Sequence, residues 1–291
     1  MIHMAAIGID IGGSKIALGL VEGNKILCRS VLSNTYFGDP DRMLEDITEE
    51  INRLHVKSPS ILEGVGVGCP GWVIRGTVYE DIHLGIKKYD LGIHLGRACG
   101  LSTFVENDAR TALLCEKEYG SLRESVNGAL VTLGTGIGGA LLLHRQLYTG
   151  SFGYAGEIGH MTIGSAGDAC SCGKRGCFEL YGSVSALVWM AQEAGLTVEN
   201  GLDVFTLDEQ GSSTAANVLS TYIQHIAAGI IELAMLLDLD TVSIGGAISQ
   251  QWNRFVYPLQ EAVKQFAPLC TVVPSTYHND AGIIGAALLV E

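Results

Sequence analysis

Two glycine-rich turns, each lying between apolar β-strands, constrain the fold of this 291-residue chain more than any other feature. Residues 5–10 form an apolar run that enters the sequence Asp-Ile-Gly-Gly-Ser-Lys at residues 10–15, and two further strands are predicted after it. The same order of strand, glycine turn, strand, turn and strand returns at residues 128–148, around Gly-Thr-Gly-Ile-Gly-Gly at residues 134–139. This repetition predicts two related halves that face each other.

The segments outside the repeats alternate between helices and short strands. Asp39 and Pro40 predict the start of a helix that runs to about Leu54, because Asp caps a helix and Pro is tolerated at its first position. We place the domain boundary so that residues 1–122 form an N-terminal domain and residues 123–291 a C-terminal domain, with the last helix able to pack back on the first. Apolar patterning also predicts strands at residues 65–69, 104–106, 140–143 and 241–244, and helices at 109–119, 183–194, 214–237 and 281–289.

Composition excludes several classes of function. A net charge of −13 argues against general affinity for nucleic acid or for an anionic membrane. With 47% hydrophobic and 17% charged residues, the chain is expected to form a packed globular core. No apolar run of transmembrane length and no secretory leader are recognised in the sequence, so we expect a cytoplasmic protein.

The first glycine turn offers a site for a phosphate group. Glycines let backbone N–H groups approach a phosphate oxygen closely, and hydroxyl and ammonium donors follow them. The carboxylate would repel phosphate, and it suits a Mg²⁺ ion held through water. A tight hairpin with an ordinary surface carboxylate is the alternative. The residues of this predicted site are Asp10, Gly12, Gly13, Ser14 and Lys15.

The second glycine turn offers another place for an anion, again with a plain hairpin as the alternative. It leads into a strand and not into a helix, so it is neither a dinucleotide fingerprint nor a Walker-type loop. Because two such turns occupy matched positions of two halves, we expect them to grip a linear polyphosphate. The residues of this second site are Gly134, Thr135, Gly136 and Gly138.

A carboxylate follows the predicted strand at residues 104–106. Asp108 opens the next helix, where an acidic residue can simply cap the free N–H groups. The functional alternative makes Asp108 a general base that takes a proton from a hydroxyl as it attacks phosphorus. The sequence leaves both roles open.

One histidine and three cysteines between residues 157 and 179 have the composition of a closed zinc site. His160, Cys170, Cys172 and Cys177 supply four ligands, with glycines and polar residues between them. Four such ligands leave no open position, which predicts a structural Zn²⁺ and not a catalytic one. Two carboxylates, those of Glu157 and Glu179, lie beside the ligands in the sequence.

Taken together, these motifs resemble those of the ROK family of sugar kinases and repressors over essentially the whole chain. The order of the zinc motif after two phosphate motifs is what makes the resemblance specific. The matching segments are residues 10–15 and 134–139 for phosphate, 70–71 and 106–108 for the sugar and catalysis, 155–160 for the signature, 170–179 for zinc, and 244–246 for the adenosine side.

The resemblance implies an α/β, actin-like (ribonuclease-H-like) fold with duplicated ATPase domains around a central cleft. It implies a homodimer that transfers phosphate from ATP, accompanied by Mg²⁺, to the 6-hydroxyl of a hexose or N-acetylhexosamine, in the manner of glucokinases and N-acetylmannosamine kinases. By the family pattern Asp108 is the base, and one ring nitrogen of His160 binds zinc while the other faces the sugar. The other residues that the resemblance assigns are Gly71, Asn107, Glu157 and Glu179 for the sugar, and Gly245 and Gly246 for the nucleotide.

Several positions depart from that family pattern, among them Ser14 in place of Thr, and Ala140 and Ala247 in place of a further Gly. Arg110 stands where Asn is common after the catalytic Asp, and the bulky Trp72 follows Pro-Gly. The usual sugar loop is missing, and His83 is expected in place of its sugar-facing Asn.

Three alternatives stay open beside the kinase. A transcriptional regulator of the same family would need a DNA-binding segment before the first phosphate motif, which here begins almost at Met1. A non-catalytic sugar sensor would not need Asp108 and both glycine turns. An enzyme acting on a single carboxylate would not need the cluster of Glu157, His160 and Glu179, which suits several adjacent hydroxyls.

Overall fold

The computed structural model describes residues 4–58, 60–81, 84–164 and 169–290. Two compact units divide the chain. The N-terminal unit comprises Met1–Arg123, Thr149–Ala155 and Asn279–Glu291, and the C-terminal unit comprises Glu124–Tyr148 and Gly156–His278.

The N-terminal unit holds a five-stranded sheet, a small three-stranded sheet and four helices within its described part. The five-stranded sheet has the order β3-β2-β1-β4-β8, in which β1 to β3 are antiparallel and β4 and β8 run parallel to β1. Before the chain first enters the C-terminal unit, the elements of the N-terminal unit are β1 (Met4–Ile11), β2 (Lys15–Glu22), β3 (Lys25–Ser33), α1 (Pro40–Val56), β4 (Ile61–Cys69), β5 (Trp72–Ile74), β6 (Thr77–Asp81), β7 (Ile86–Tyr89), α2 (Leu91–Cys99), β8 (Thr103–Asn107) and α3 (Asp108–Tyr119).

The C-terminal unit repeats this plan. Its sheet has the order β11-β10-β9-β12-β13, with β9 to β11 antiparallel and β12 and β13 parallel to β9, so the predicted duplication is confirmed. Its elements are β9 (Gly128–Leu133), β10 (Ile137–Leu143), β11 (Gln146–Tyr148), α4 (Glu179–Gly182), α5 (Val184–Glu193), α6 (Gly201–Glu209), α7 (Ser213–Leu237), β12 (Thr241–Gly245), α8 (Trp252–Lys264) and β13 (Thr271–Pro274), with short 3-10 helices at Ile158–His160 and Ala247–Gln251.

The chain then returns to the N-terminal unit through a third 3-10 helix (His278–Asp280) and α9 (Ala281–Ala287). α9 lies on β1 and β4 at glycines. A Cβ atom added at Gly8 would lie 1.9 Å from the carbonyl oxygen of Ile283, and one added at Gly66 would lie 1.7 Å from that of Ala286. Only glycine therefore allows the helix backbone to lie this close to the sheet.

Two strands begin three or four residues earlier than predicted. β4 starts at Ile61 and not at Val65, because Ile61, Leu62 and Gly64 already pair with β1. β10 starts at Ile137 and not at Ala140, because the last two glycines of the second turn already pair with β9. A Cβ at Gly139 would lie 2.5 Å from the Ile158 side chain, so this glycine serves packing.

The predicted start of α1 is confirmed. The Asp39 carboxylate accepts a hydrogen bond from the N–H of Arg42 at 3.1 Å, and Pro40 is the first helical residue. Several short elements were not predicted, because their apolar patterns are brief and mixed with polar residues. These are β5 to β7, α2, α4, α6 and β13; the 13-residue α8 was not predicted either.

α7 is the central helix of the C-terminal core. Its apolar composition (mean hydropathy 1.3 over 18 residues) would allow it to span a membrane, whereas no run of that length was predicted. Half of that window is buried within the protein, and side chains such as those of Tyr222, Ile226 and Ile230 lie in the main hydrophobic cluster. This burial pattern is that of a core helix.

Candidate active site and metal centre

Two carboxylates meet at the ends of neighbouring elements in the N-terminal unit. Asp10 lies at the end of β1, and Asp108 is the first residue of α3. Burial, followed by the charge of Asp108, raises the pKa of Asp10 to about 6, while Lys15 opposes the rise. The structure thus places both carboxylates where a divalent cation would relieve their repulsion.

The first glycine turn is fixed by a hydrogen bond within it and by one from Asn34, the residue that follows β3. The N–H of Gly12 donates to the carbonyl of Lys15 at 2.9 Å, and the Asn34 side chain donates to the carbonyl of Gly12 at 2.6 Å. Ser14 and Lys15 are exposed and able to contact a ligand. Asn34 was missed by the sequence analysis, because nothing near it in the chain indicates this contact.

The helix cap of α3 belongs to Asn107. Its side-chain oxygen accepts hydrogen bonds from the N–H groups of Ala109 at 3.0 Å and Arg110 at 3.2 Å. Asp108 is the first helical residue, one position after the cap. The plain capping role considered for Asp108 is filled by its neighbour, and the Asp108 carboxylate accepts one additional hydrogen bond, from the N–H of Ala109 at 2.8 Å.

Two glycines, one near the end of β4 and one just after it, lie beside Asn107 and Asp108. Gly71 has a φ of +84°, and its carbonyl accepts a hydrogen bond from the Asn107 amide at 3.3 Å. A Cβ at Gly68 would lie 3.4 Å from the Cα of Asp108. Gly71, Asn107 and Asp108 thus lie together in the N-terminal unit.

The glycine motifs of the C-terminal unit also lie together. In the second turn, the N–H of Gly134 donates to the carbonyl of Gly136 at 3.0 Å, and Thr135 is exposed. Gly246 has a φ of +80°, and a Cβ there would lie 2.3 Å from the carbonyl oxygen of Leu133. Gly138 and Gly245 both pair with Thr132 of β9, so the two motifs share one edge of the sheet.

The signature segment packs directly on β10. A Cβ at Gly159 would lie 2.2 Å from the carbonyl oxygen of Ile137, which fixes the short helix that ends at His160. Glu157 precedes this helix and is exposed. Glu179 has one carboxylate oxygen 3.6 Å from His160 Nδ1, and its other oxygen lies 3.0 Å from where a Cβ of Gly136 would be. Glu179 therefore links the metal cluster to the second glycine turn.

The four predicted zinc ligands converge. One atom from each of His160, Cys170, Cys172 and Cys177 lies within 4.8 Å of all the others. His160 presents Nδ1 to the thiols, 3.6 Å from Cys170 Sγ, and the N–H of Cys172 donates to that same sulfur at 3.4 Å. This donor set fits a tetrahedral zinc ion.

The thiols differ in their electrostatic surroundings. Burial, followed by the hydrogen bond from its thiol to Glu179 at 2.9 Å, raises the pKa of Cys170 to about 12. The backbone N–H of Lys174 lowers the pKa of Cys172, which is exposed. Since zinc binds thiolates, occupation of this site would release the protons that these thiols hold.

The predicted site residues thus form one set in each unit, and His83 lies outside the described residues. The N-terminal set consists of Asp10, Gly12, Gly13, Ser14, Lys15, Gly71, Asn107 and Asp108; the C-terminal set consists of Gly134, Thr135, Gly136, Gly138, Glu157, His160, Cys170, Cys172, Cys177, Glu179, Gly245 and Gly246.

Comparison with known proteins assigns the class. The family model described as "ROK family" matches residues 6–291, so the chain belongs to the ROK family. This membership confirms the resemblance drawn from the motifs.

Individual relatives share nearly the whole chain. A glucokinase from Streptomyces coelicolor is 31% identical over 98% of this chain and 97% of its own length. An N-acetylmannosamine kinase from Escherichia coli O6:H1 is 30% identical over 98% of both chains. The crystal structure of a ROK family glucokinase from Streptomyces griseus, in complex with glucose and AMPPNP, superposes with a TM-score of 0.84 at 28% identity, covering 98% of both chains. The predicted actin-like fold and the predicted enzyme class, a sugar kinase, are confirmed.

Proposed function

We propose that this protein transfers the γ-phosphoryl group of ATP to the 6-hydroxyl of a hexose or an N-acetylhexosamine, with Asp108 as the general base. The observation that carries the role of Asp108 is the capping of α3 by Asn107. Asn107 accepts from the N–H groups of Ala109 and Arg110, so the helix has a side-chain cap without Asp108, whose carboxylate accepts one additional hydrogen bond, from the N–H of Ala109 at 2.8 Å. A carboxylate placed at this helix start is suited to accept the proton of an attacking hydroxyl.

The side chains of the two sets take separate roles in this proposal. Asn107, Glu157 and Glu179 bind sugar hydroxyls with amide and carboxylate groups, and the Gly71 backbone supports Asn107 through its carbonyl. His160 contributes its outer ring nitrogen, since Nδ1 faces the thiols. The backbone N–H groups of the glycine turns, with Ser14, Lys15 and Thr135, bind the phosphate chain, and Gly245 and Gly246 admit the nucleoside.

Two metal ions belong to this proposal. Mg²⁺ accompanying ATP would be held near Asp10 and would neutralise charge on the phosphate oxygens. Zn²⁺ would be held by the four ligand atoms that lie within 4.8 Å of one another, where it would fix the ring of His160.

The substrate class follows from the donors and from the relatives. Several adjacent hydroxyls are matched by several carboxylates and an amide, whereas a single anion would be repelled by Glu157 and Glu179. The relatives described above include a glucokinase and an N-acetylmannosamine kinase at nearly equal identity, 31% and 30%, so both substrate types belong in the proposal.

The test is a panel of acceptors in a coupled assay of ADP release. Glucose, N-acetylglucosamine, N-acetylmannosamine and a disaccharide are compared by kcat/KM, and the position of the new phosphate is read by NMR. Release of ADP that depends on one of these sugars is expected. Sugar-independent hydrolysis alone, or phosphorylation of a different hydroxyl, would contradict the proposal.

The assay of ADP release also tests the non-catalytic sugar sensor, and DNA binding tests the transcriptional regulator. The sugar-kinase interpretation is favoured over the regulator by the named relatives, and a net charge of −13 is unsuited to DNA. A gel-shift assay with genomic fragments is expected to show no complex.

We further propose that the protein acts in the cytoplasm as a homodimer, because closed dimers are the commonest state of soluble enzymes. Light scattering after gel filtration measures the mass directly. A mass near 31 kDa at working concentration, that of a single 30.9 kDa chain, would reject the dimer.

A further inference from the structure

A buried arginine stands in the first turn of α3, where a cation is unexpected. The Arg110 side chain is only 3% exposed, and it lies three positions after the helix cap. The N-terminus of a helix carries partial positive charge, which repels a guanidinium. A buried guanidinium is tolerated only where its charge is paired and its donors are satisfied.

Arg110 finds these partners on two sides. One nitrogen donates to the Glu106 carboxylate at 2.9 Å, and the other donates to the carbonyl oxygens of Gly153 at 2.6 Å and Ala155 at 3.0 Å. Both carbonyls belong to Thr149–Ala155, a short stretch of the N-terminal unit whose chain neighbours on either side belong to the C-terminal unit. The planar guanidinium thus fastens this stretch to the helix that begins with Asp108.

Trp72 is a second fastening of the same stretch. Its indole nitrogen donates to the carbonyl of Phe152 at 2.8 Å, and its ring stacks on Tyr154 with centroids 4.4 Å apart and planes at 21°. Gly153 lies between them with a φ of +75°, and a Cβ there would lie 3.3 Å from the indole nitrogen. The contacts of the two side chains alternate along the stretch: Trp72 contacts Phe152 and Tyr154, and Arg110 contacts Gly153 and Ala155.

We propose that Arg110 is a positioning residue for phosphoryl transfer, an inference that rests on the proposed function. With Trp72, it keeps residues 152–155 in one conformation against the start of α3. The second residue after Ala155 is Glu157, a proposed sugar ligand, so a fixed Ala155 carbonyl restricts where the acceptor sugar is held. Small displacements of an acceptor hydroxyl from its base cost far more in kcat than in binding.

The test compares two substitutions of Arg110 with a matched control. Arg110→Met keeps the volume and removes every donor, and Arg110→Lys keeps the charge without the planar fork. Arg254→Met is the control, because Arg254 likewise pairs with a glutamate, Glu209, and donates to a carbonyl, that of Phe205 at 3.3 Å, within the C-terminal unit.

Arg110→Met is expected to lower kcat by ~30- to 100-fold while KM for ATP changes by less than about threefold. Arg110→Lys is expected to lie between Arg110→Met and the wild type. Arg254→Met is expected to lose thermal stability and to keep the kcat of its folded fraction. A purely structural role of Arg110 would instead reproduce the behaviour of Arg254→Met.

Tryptophan fluorescence tests, independently of activity, whether Arg110 holds residues 152–155 against Trp72. The chain has three tryptophans, so Trp189→Phe with Trp252→Phe leaves Trp72 as the single indole. In that background, Arg110→Met is expected to increase acrylamide quenching of Trp72 by about twofold or more, because the stretch that covers it is released. The kcat losses of Arg110→Met and Trp72→Phe are expected to be less than multiplicative in the double variant, since both side chains fasten one stretch.

The outcomes separate the two proposals. A wild-type enzyme that phosphorylates no sugar rejects the proposed function. An active wild type, with folded Arg110→Met turning over at the normal rate or losing only affinity for ATP, rejects the positioning role alone. Should Arg110→Met fail to fold, Arg110→Lys decides, and a kcat within about twofold of wild type would overturn the proposal.

Discussion

The two five-stranded sheets share strand order and direction, yet they are packed in different ways. Four residues before the first glycine of its turn, the N-terminal sheet places Gly8 opposite Gly66, and carbonyl oxygens of α9 occupy the space of both missing side chains. At the same distance from the second turn, the C-terminal sheet places Leu130 opposite Ser243, and both side chains are buried. At this level the N-terminal sheet packs against the backbone of α9, whereas the C-terminal sheet packs through the side chains of Leu130 and Ser243.

The same contrast holds at the ends of the strands. Asp10 of the N-terminal sheet pairs with Gly68, and the matching pair of the C-terminal sheet is Thr132 with Gly245. The carboxylates proposed for Mg²⁺ and for proton abstraction, those of Asp10 and Asp108, belong to the N-terminal unit, while the C-terminal unit contributes the second glycine turn, the cysteine cluster and the proposed sugar ligands Glu157 and Glu179. A duplicated fold fixes where loops arise and leaves open what chemistry they carry.

The largest effect is expected from Asp108→Asn, which tests whether catalysis belongs to the N-terminal unit. We expect kcat to fall by about 10³-fold or more, because the base is lost. Since Asn107 supplies the cap, the midpoint of thermal unfolding should stay within a few degrees of the wild type. Near-normal turnover in a folded variant would refute the role of Asp108.

The next effect is expected from Gly66→Ser, which places the residue of the C-terminal sheet into the N-terminal one. An added Cβ would lie 1.7 Å from the backbone of α9, so we expect a loss of about 3 kcal/mol or more in the free energy of unfolding. The reciprocal Ser243→Gly removes only a hydroxymethyl group and should cost about 1–2 kcal/mol. Equal costs in urea denaturation would contradict the contrast between the two sheets.

Cys177→Ser tests the metal centre of the C-terminal unit. Losing one of four ligands should reduce bound zinc well below one ion per chain and lower kcat/KM for the sugar by roughly 30-fold, because the ring of His160 is no longer fixed. Cys270→Ser is the matched control, a buried cysteine of the same unit outside the cluster. Elemental analysis measures the zinc, and full activity without metal would reject the structural role.

The smallest effect is expected from Asp10→Asn, and it is a gain in stability. The folded pKa of Asp10, about 6, lies above its ordinary value of 3.8, so the folded state binds more protons between these values. The wild type therefore loses stability as pH rises from about 4 to 6, and Asp10→Asn does not.

We expect Asp10→Asn to exceed the wild type by on the order of 1–2 kcal/mol at pH 8, with little difference at pH 4, while its kinase activity falls. Urea titrations at both pH values give the comparison. A variant less stable than wild type at pH 8 would contradict the electrostatic account of this site.

The repeated hairpins and the cluster of one histidine and three cysteines were readable from the sequence because they are local. Glycine turns, alternating strands and closely spaced cysteines lie within a few residues of one another. The packing role of Gly66 was not predicted, since the helix whose backbone lies against it comes more than 200 residues later. Local patterns cannot reveal such a partner.

The contacts of Arg110 show the same limit at the candidate site. The sequence marked Arg110 and Trp72 as unusual separately and gave no reason to connect them. They are connected through residues 152–155. Arg110 donates a hydrogen bond to Gly153, 43 positions later in the chain, and Trp72 donates one to Phe152, 80 positions later. The capping role of Asn107 was equally undecided, because the boundary of α3 was predicted one residue late.

The position of α9 has a consequence for biosynthesis. The N-terminal unit includes the final residues 279–291, whereas the C-terminal unit is complete once residue 278 has been made. In a growing chain, Gly8 of β1 and Gly66 of β4 therefore stay uncovered until residues 281–287 have been made, although domains usually fold in the order in which they leave the ribosome. A chain truncated after His278 should have a protease-sensitive N-terminal unit and a resistant C-terminal unit.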